Sequence, residues 1–167
     1  MKILILGYSD FAQRRIIPIL IKNFKQLKVG IASKSKKKDI KYKNLSWFDN
    51  YHNAIKSFKP NIVYISLPNS FHYSWGKLIL KKKINLIIDK PISLKEIHIK
   101  SLIKLAIKNN VLLAEATIFD YHPQIERSLK LIGGLNKISK IQSNFCIPEP
   151  KKKNIKMSKK LGGGVNH

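Results

Sequence analysis

Short apolar runs alternate with longer amphipathic segments over residues 1–116 of the chain. The apolar runs are rich in Ile, Leu and Val and have the length of buried β-strands. They occupy residues 2–6, 27–33, 61–67, 84–88 and 111–116. The segments between them carry apolar residues at helical spacing and predict helices over residues 12–23, 47–58, 74–82 and 93–110. This alternation predicts an α/β fold with a parallel, doubly wound, Rossmann-like sheet.

One edge of the predicted sheet collects small and polar residues. Right-handed crossovers place the carboxyl ends of all parallel strands on the same edge, where ligands of open α/β sheets bind. The residues at these strand ends are Gly7 to Ala12, Ser33–Lys34, Pro68–Asn69, Asp89–Lys90 and Glu115. At the start of the fourth helix, Ser93 is the predicted N-cap and Glu96, three residues later, its capping-box partner.

The pattern changes after Glu115. A helix is predicted from Pro123 to Ile132, and residues 138–147 alternate like a strand. One helix and one strand do not make a domain, because an isolated strand needs a partner. We therefore expect a complete domain over residues 1–118, followed by the beginning of an incomplete α+β domain over residues 119–167.

Composition limits the class of protein. The chain has 167 residues and 44% hydrophobic content, enough for one domain with a sizeable core. No apolar run approaches the length that spans a bilayer, so no membrane association is expected. Cys146 is the single cysteine, which excludes an internal disulfide and a cysteine-based metal cluster. A cytoplasmic location and no metal site are the simplest expectations.

The formal net charge of +24 raises the possibility of a basic nucleic-acid protein. Arg14, Arg15 and Arg127 are the three arginines of the chain, whereas base recognition and phosphate clamping favour arginine. The lysines are spread over every segment. We therefore expect no specific nucleic-acid partner, although the charge raises the encounter rate with anionic ligands.

The turn after the first strand resembles a phosphate-binding loop. A dinucleotide fingerprint needs small residues at three positions, filled here by Gly7, Ser9 and Ala12. Ser9 departs from the usual glycine because it adds a side chain. Phe11 lies in the same segment, which opens a helix whose N-terminal amides can bind phosphate. The pattern is weak alone but is supported by its position after the first strand.

The end of the second strand bears on the choice of coenzyme. An NAD site normally places an acid there to bind the ribose hydroxyls. This chain instead has Ser33 and Lys34, and its next acid is Asp39. A hydroxyl beside a cation suits a 2′-phosphate, so NADP(H) is favoured over NAD(H). The alternative is that Lys34 and the lysines at positions 36–38 belong to a solvated loop.

The fourth apolar run, residues 84–88, is followed by Asp89, Lys90 and Pro91. Proline ends strand pairing and biases the preceding residue towards an extended conformation, which would orient the Lys90 side chain. A lysine held at such a strand end can bind an anion or take part in proton transfer. Considered alone, the segment favours an ordinary strand end carrying solvated charges, and only the other motifs of the chain reverse that preference.

Two motifs together resemble the Gfo/Idh/MocA oxidoreductase family. The segment Leu67–His72 is similar to a TPNxxH-like element of that family, and Asp89–Pro91 to its E/D-K-P element. The resemblance continues at residues 115–117, 121–124 and 161–164 and so spans nearly the whole chain.

The resemblance implies hydride exchange between a nicotinamide coenzyme and a sugar or polyol-like substrate. It implies that Lys90 is the catalytic lysine, and that the longer form of such an enzyme is a homo-oligomer. His72 would border the coenzyme, or alternatively pack locally at the start of its helix. The coenzyme-binding residues implied on these two motifs are Leu67, Pro68, Asn69, His72, Asp89, Lys90 and Pro91.

The end of the chain departs from the family pattern. In the family, an aspartate and then a histidine or tyrosine follow the glycine triplet that is seen here at residues 162–164. The chain ends at His167, before that aspartate, and His167 is not its substitute. We expect a truncated form with an incomplete catalytic set. A non-catalytic nucleotide-binding or partner module with the same fold is the alternative.

Overall fold

The computed structural model describes residues 1–34, 42, 45–144, 146 and 158–161. Six strands form one sheet in the order β3-β2-β1-β4-β5-β6, and all five neighbouring pairs are parallel. The predicted α/β fold with a parallel, doubly wound sheet is therefore confirmed. The strands are β1 (Lys2–Leu6), β2 (Lys28–Ala32), β3 (Ser46–Phe48), β4 (Ile62–Ile65), β5 (Asn85–Ile88) and β6 (Leu113–Glu115).

The helices lie where the amphipathic segments were predicted, with shifted starts. A π-helical stretch (Ala12–Ile16) leads into the first α-helix. Asn50 starts the second helix because its side chain accepts from the Asn53 amide at 3.0 Å. The helices are α1 (Ile17–Asn23), α2 (Tyr51–Phe58), α3 (His72–Lys81), α4 (Glu96–Asn109) and α5 (Pro123–Ile132).

Both faces of the sheet are covered, which explains why its strands are apolar at nearly every position. Along β1, successive side chains point to opposite faces. Leu4 and Leu6 pack in one core cluster with side chains of α2, α3 and α4. Ile3 and Ile5 pack in the other cluster with Ile17 of α1. This double burial fixes the position of β1 at the centre of the sheet.

The prediction of a helix over residues 47–58 was wrong at its beginning. Ser46–Phe48 is a strand that pairs with β2, so that Trp47 lies opposite Ile31. The helical spacing of Trp47 with Tyr51 is accidental, because the two side chains belong to different elements and pack against different core clusters. The helix begins only after its cap at Asn50.

The predicted capping box of α4 was also wrong. The N-cap residue is Lys95, which makes no side-chain cap hydrogen bond. The Ser93 hydroxyl accepts from the Lys95 amide at 3.3 Å and lies 3.3 Å from Nδ1 of His98. Ser93 therefore shapes the turn before the helix, and Glu96 pairs instead with Lys100.

The tail differs from the predicted pattern. The helix Pro123–Ile132 is present and ends at Gly133 in the left-handed conformation. Residues 138–144 contain no strand, and the rest of the predicted strand lies largely outside the described residues. An isolated strand lacks the neighbour that would satisfy its backbone groups. Leu131 and Ile141, at 80% and 77% exposure, remain in contact with solvent.

A short turn near the end of the described chain returns to the sheet. Lys159–Leu161 contacts the turn Asn69–Phe71 that precedes α3. The tail thus reaches the carboxyl edge of the sheet. None of the helices in the described part of the chain is both long and apolar enough to cross a membrane.

Candidate active site

The sheet order reverses at β1, which creates a binding position at the carboxyl edge. β2 and β3 lie on one side of β1, and β4, β5 and β6 lie on the other. Loops leaving β1 and β4 therefore diverge to opposite sides and open a crevice, as in other doubly wound sheets. The strand-end residues that the sequence predicts to meet here do so.

Gly7 sets the closest backbone approach at this edge. Its φ of +96° is a conformation that other residues rarely adopt. A Cβ at Gly7 would lie 2.2 Å from the backbone oxygen of Ser66, which follows β4. The Gly7 amide donates to the Ala32 carbonyl at 2.9 Å and holds the loop against β2. The first fingerprint position therefore requires glycine on steric grounds.

Ser9 replaces the usual glycine of the fingerprint, and its side chain makes two contacts. Its hydroxyl oxygen accepts from the Ala12 amide at 3.0 Å and lies 2.6 Å from the Ser66 hydroxyl oxygen. The first contact caps the start of the helix, in the manner of an N-cap serine. Ala12 is fully buried, as the third fingerprint position requires for close helix packing.

Asp89 lies at the end of this series of contacts. The Ser66 hydroxyl donates to one carboxylate oxygen at 2.7 Å, and the Tyr64 hydroxyl donates to the other. Burial and the neighbouring Asp89 carboxylate raise the pKa of Tyr64 well above its ordinary value, so Tyr64 stays a neutral donor. Asp89 is thereby joined through the hydroxyls of Ser66 and Ser9 to the loop that follows β1.

Sequence reasoning missed Tyr64 and Ser66 as site residues. The available signal was their spacing, because residues two apart on a strand point to the same face. Both side chains carry a hydroxyl group, in a strand segment starting at Ile62 that is otherwise apolar. In the sheet, Ile65 pairs with Ile88, so the next residues, Ser66 and Asp89, come out side by side.

The helix that follows the loop carries one acid at its start. Asp10 forms an exposed ion pair with Arg14 one turn later, which offsets a negative charge near a potential phosphate position. Phe11 is 41% exposed and lies between Asp10 and the buried Ala12. The helix start thus offers backbone amides with little net side-chain charge.

Lys90 is exposed at the strand end, where its ammonium can reach a ligand. The peptide bond between Lys90 and Pro91 is cis. The next amide, that of Ile92, donates to a carboxylate oxygen of Glu115 at 2.6 Å. The Thr117 hydroxyl donates to the other oxygen at 3.1 Å. Glu115 therefore holds the backbone that follows the lysine.

His72 lies in the interior of the edge. It has no exposed surface, and its ring nitrogens lie 2.8 Å from the Leu67 carbonyl oxygen and 2.7 Å from that of Pro91. These carbonyls belong to the loops after β4 and β5, so the imidazole links the two motifs. The arrangement favours the local-packing alternative over direct contact with a coenzyme. Pro68 and Asn69 lie between Leu67 and His72 in the sequence, and Asn69 is buried, with 7% of its surface exposed.

The end of β2 presents a cation beside an aromatic ring. Lys34 is exposed, with its Nζ 6.0 Å from the centroid of the Tyr51 ring. Burial raises the pKa of Tyr51, and a hydrogen bond from the Lys34 backbone partly opposes that rise. Ser33 is 4% exposed, and its amide donates to the Phe48 carbonyl at 2.9 Å. Lys34 rather than Ser33 is therefore the accessible group.

These features fit a phosphate-bearing dinucleotide. The loop at Gly7 allows close backbone approach, the helix start offers amides, and Lys34 and Lys90 are exposed cations at the same edge. Within the part of the chain that the structure describes, no group of three or more His, Cys, Asp or Glu residues is arranged to hold a metal ion. The described edge thus brings together groups of the kind that contact phosphates: a close backbone turn, a helix start and two exposed lysines.

Comparison with known proteins places this edge in a family context. Residues 1–117 match the sequence model of the GFO_IDH_MocA group, described as an oxidoreductase family with an NAD-binding Rossmann fold. A dTDP-3,4-didehydro-2,6-dideoxy-α-D-glucose 3-reductase of Saccharopolyspora spinosa is 25% identical over 96% of this chain and 50% of its own length. D-xylose 1-dehydrogenase (NADP(+)) 2 of Haloferax volcanii is 24% identical over 70% of this chain and 37% of its own length.

A solved structure shares the fold over nearly the whole chain. It is a mutant 3-ketoreductase from Actinomadura kijaniata in complex with TDP-benzene and NADP. The TM-score is 0.86 at 24% identity, and the match covers 99% of this chain and 53% of that one. The chain thus spans about half the length of the reductases that it matches end to end.

The steric account of Gly7 predicts a large effect of Gly7→Ala on stability. The clash with Ser66 and the positive φ together should lower the free energy of unfolding by about 3 kcal/mol in urea denaturation. Gly133→Ala is the matched control, because Gly133 has φ +78° but its Cβ would come no closer than 3.4 Å to another atom. It should cost about 1 kcal/mol. Equal losses in the two variants would contradict the role of the close approach.

Proposed function

The chain belongs to the Gfo/Idh/MocA oxidoreductase family, and from that premise we propose that its carboxyl edge binds NADP(H). We further propose that Lys90 assists hydride transfer to or from a sugar or polyol-like substrate. The observation that carries this proposal is the exposed Lys90 at a strand end joined through Asp89 and Ser66 to the phosphate-type loop. One edge thus offers a phosphate-binding loop and a reactive cation.

Each part of the edge has a distinct task in the proposed function. The Gly7–Ala12 segment binds the pyrophosphate through backbone amides at the helix start. Lys34 binds the 2′-phosphate that distinguishes NADP(H) from NAD(H). The bound nicotinamide supplies or accepts the hydride. Glu115 and His72 hold the loops of the edge and make no direct contact with the coenzyme.

Lys90 acts on the substrate oxygen. Its ammonium donates a hydrogen bond to the oxygen of the carbon that gains or loses hydride. The developing negative charge on that oxygen is stabilised, which in a site shielded from water is worth several kcal/mol. Proton transfer between Lys90 and this oxygen completes the change between carbonyl and carbinol.

The relatives indicate the substrate class. One matched group consists of reductases named for a dTDP-linked didehydro-dideoxyglucose, and another relative is named for D-xylose and NADP. A sugar, free or nucleotide-linked, is the substrate class that we carry over to this protein. Cytoplasmic location, homo-oligomerisation and the domain division at residue 118 accompany this proposal as expectations from the sequence.

Coenzyme binding is testable on the chain itself by fluorescence titration with NADPH and NADH. We expect NADPH to bind more tightly, and Lys34→Glu to raise the Kd for NADPH about tenfold by replacing an attractive charge at the 2′-phosphate with a repulsive one. The Kd for NADH should change little. The matched control is Lys104→Glu at an exposed position within α4, outside the strand-end loops, which should change neither value. Absence of binding of both coenzymes at millimolar concentration would refute the proposal.

The role of Lys90 is testable in any preparation of the protein that oxidises NADPH while reducing a keto sugar. Lys90→Met should lower kcat by at least about a hundredfold, while the Kd for NADPH stays within a factor of about two. Lys95→Met removes an exposed lysine at the start of α4 and should leave both values unchanged. An unchanged kcat in Lys90→Met would show that another group acts on the substrate oxygen.

A further inference from the structure

The hydroxyl groups between Asp89 and the phosphate-type loop form a series with one defined direction. Asp89 accepts from Ser66 at 2.7 Å and also from Tyr64. A serine hydroxyl has a single proton, so Ser66, having donated to Asp89, can only accept from Ser9. The 2.6 Å contact between the two serines is therefore donated by Ser9.

The same reasoning fixes the other end of the series. Ser9 donates its one proton to Ser66, and its oxygen is left to accept from the Ala12 amide at 3.0 Å. Protons thus point from the helix start, through Ser9 and Ser66, to the Asp89 carboxylate. Each hydroxyl is polarised by the next, and a charged acceptor at the end strengthens such a series.

We propose that Asp89 is a positioning residue for coenzyme binding, which orients Ser9 through Ser66 and so sets the conformation of the phosphate-type loop. Here Ser9, Ser66 and Asp89 are called the serine relay. This inference rests on the proposed function for the identity of the ligand, whereas its hydrogen bonds are seen in the structure itself. It assigns a role to the serine that departs from the glycine fingerprint and to the acid that precedes Lys90.

The relay makes a prediction opposite to that of simple electrostatics. Asp89 is a negative charge at an edge that would hold an anionic coenzyme. Asp89→Asn removes that charge and, by relief of Coulomb repulsion alone, should tighten NADPH binding. The relay predicts the reverse, because the uncharged amide is a weaker acceptor than the carboxylate and must turn its NH2 donor towards either Tyr64 or Ser66. The sign of the change in Kd therefore separates the two accounts.

Ser9→Gly separates the relay from the fingerprint. If Ser9 were only a degenerate glycine position, Ser9→Gly would restore the family pattern and maintain or improve NADPH affinity. If Ser9 is part of the relay, the substitution removes both of its hydrogen bonds and weakens binding. Ser9→Thr keeps the hydroxyl and should recover most of the affinity.

The test combines coenzyme affinity with amide exchange in the free protein. We expect the Kd for NADPH to rise about tenfold in Asp89→Asn, Ser66→Ala and Ser9→Gly. Because the three act as one series, the Ser9→Gly/Ser66→Ala double variant should resemble either single variant. Ser74→Ala is the matched control, since the Ser74 hydroxyl donates to the Phe71 carbonyl at 3.1 Å near the same edge but outside the relay. It should bind like the wild type.

Amide exchange followed by NMR reads the relay without the coenzyme. In Asp89→Asn the Ala12 amide should exchange several-fold faster than in the wild type, because Ser9 is no longer oriented to accept from it. The Gln13 amide, which donates to the Ser9 backbone carbonyl at 3.0 Å, should be unchanged. A general loss of stability would accelerate both amides.

The outcomes distinguish the relay from the function on which it rests. Failure of the wild-type chain to bind NADPH overturns the proposed function, and the Ala12 exchange rate still decides whether Asp89 orients Ser9. Binding by the wild type that is unchanged or tighter in Asp89→Asn overturns the positioning role alone. Additive effects of Ser9→Gly and Ser66→Ala also overturn it. Weaker binding together with faster Ala12 exchange supports it.

Discussion

The close approach of Gly7 to the Ser66 carbonyl is the constraint on which the ligand edge depends. β1 is buried on both faces and bounded by β2 and β4, so it cannot shift to relieve a clash. The turn after it must therefore pass within van der Waals contact of the backbone after β4. That passage brings the hydroxyl oxygens of Ser9 and Ser66 to 2.6 Å, and the Ser66 hydroxyl in turn donates to Asp89, which follows β5.

The local charges of this edge matter more than the net charge of +24. Lys34 and Lys90 are exposed, whereas Asp10 is paired with Arg14 and both oxygens of Asp89 accept hydrogen bonds from hydroxyls. The exposed ammonium groups of Lys34 and Lys90 thus add to the partial positive charge of the amides at the helix start. In the proposed function it is this local arrangement that attracts the anionic coenzyme, and the surrounding lysines add only longer-range attraction that salt weakens.

Much of the fold was predictable because two signals indicated the same parallel sheet: the spacing of the hydrophobic residues and the polar residues at the strand ends. The bounds of β1 matched, and the parallel sheet and its polar edge followed from the alternation of elements. β3 was missed because a three-residue edge strand has too few positions for a period, and Trp47 happened to suit the following helix. The contacts of Ser66 could not be predicted because they depend on the register between β4 and β5. The position of His72 between two carbonyls likewise depends on how two loops pack.

The most direct test of this account is a crystal structure of the chain with NADPH. The account predicts phosphate oxygens within about 3 Å of backbone amides in the segment from Ser9 to Ala12. It also predicts the 2′-phosphate beside Lys34 and the nicotinamide on the side of Lys90. A coenzyme bound elsewhere, for example on the apolar surface lined by Ile103 and Ile107, with the Gly7 turn free of ligand, would contradict it.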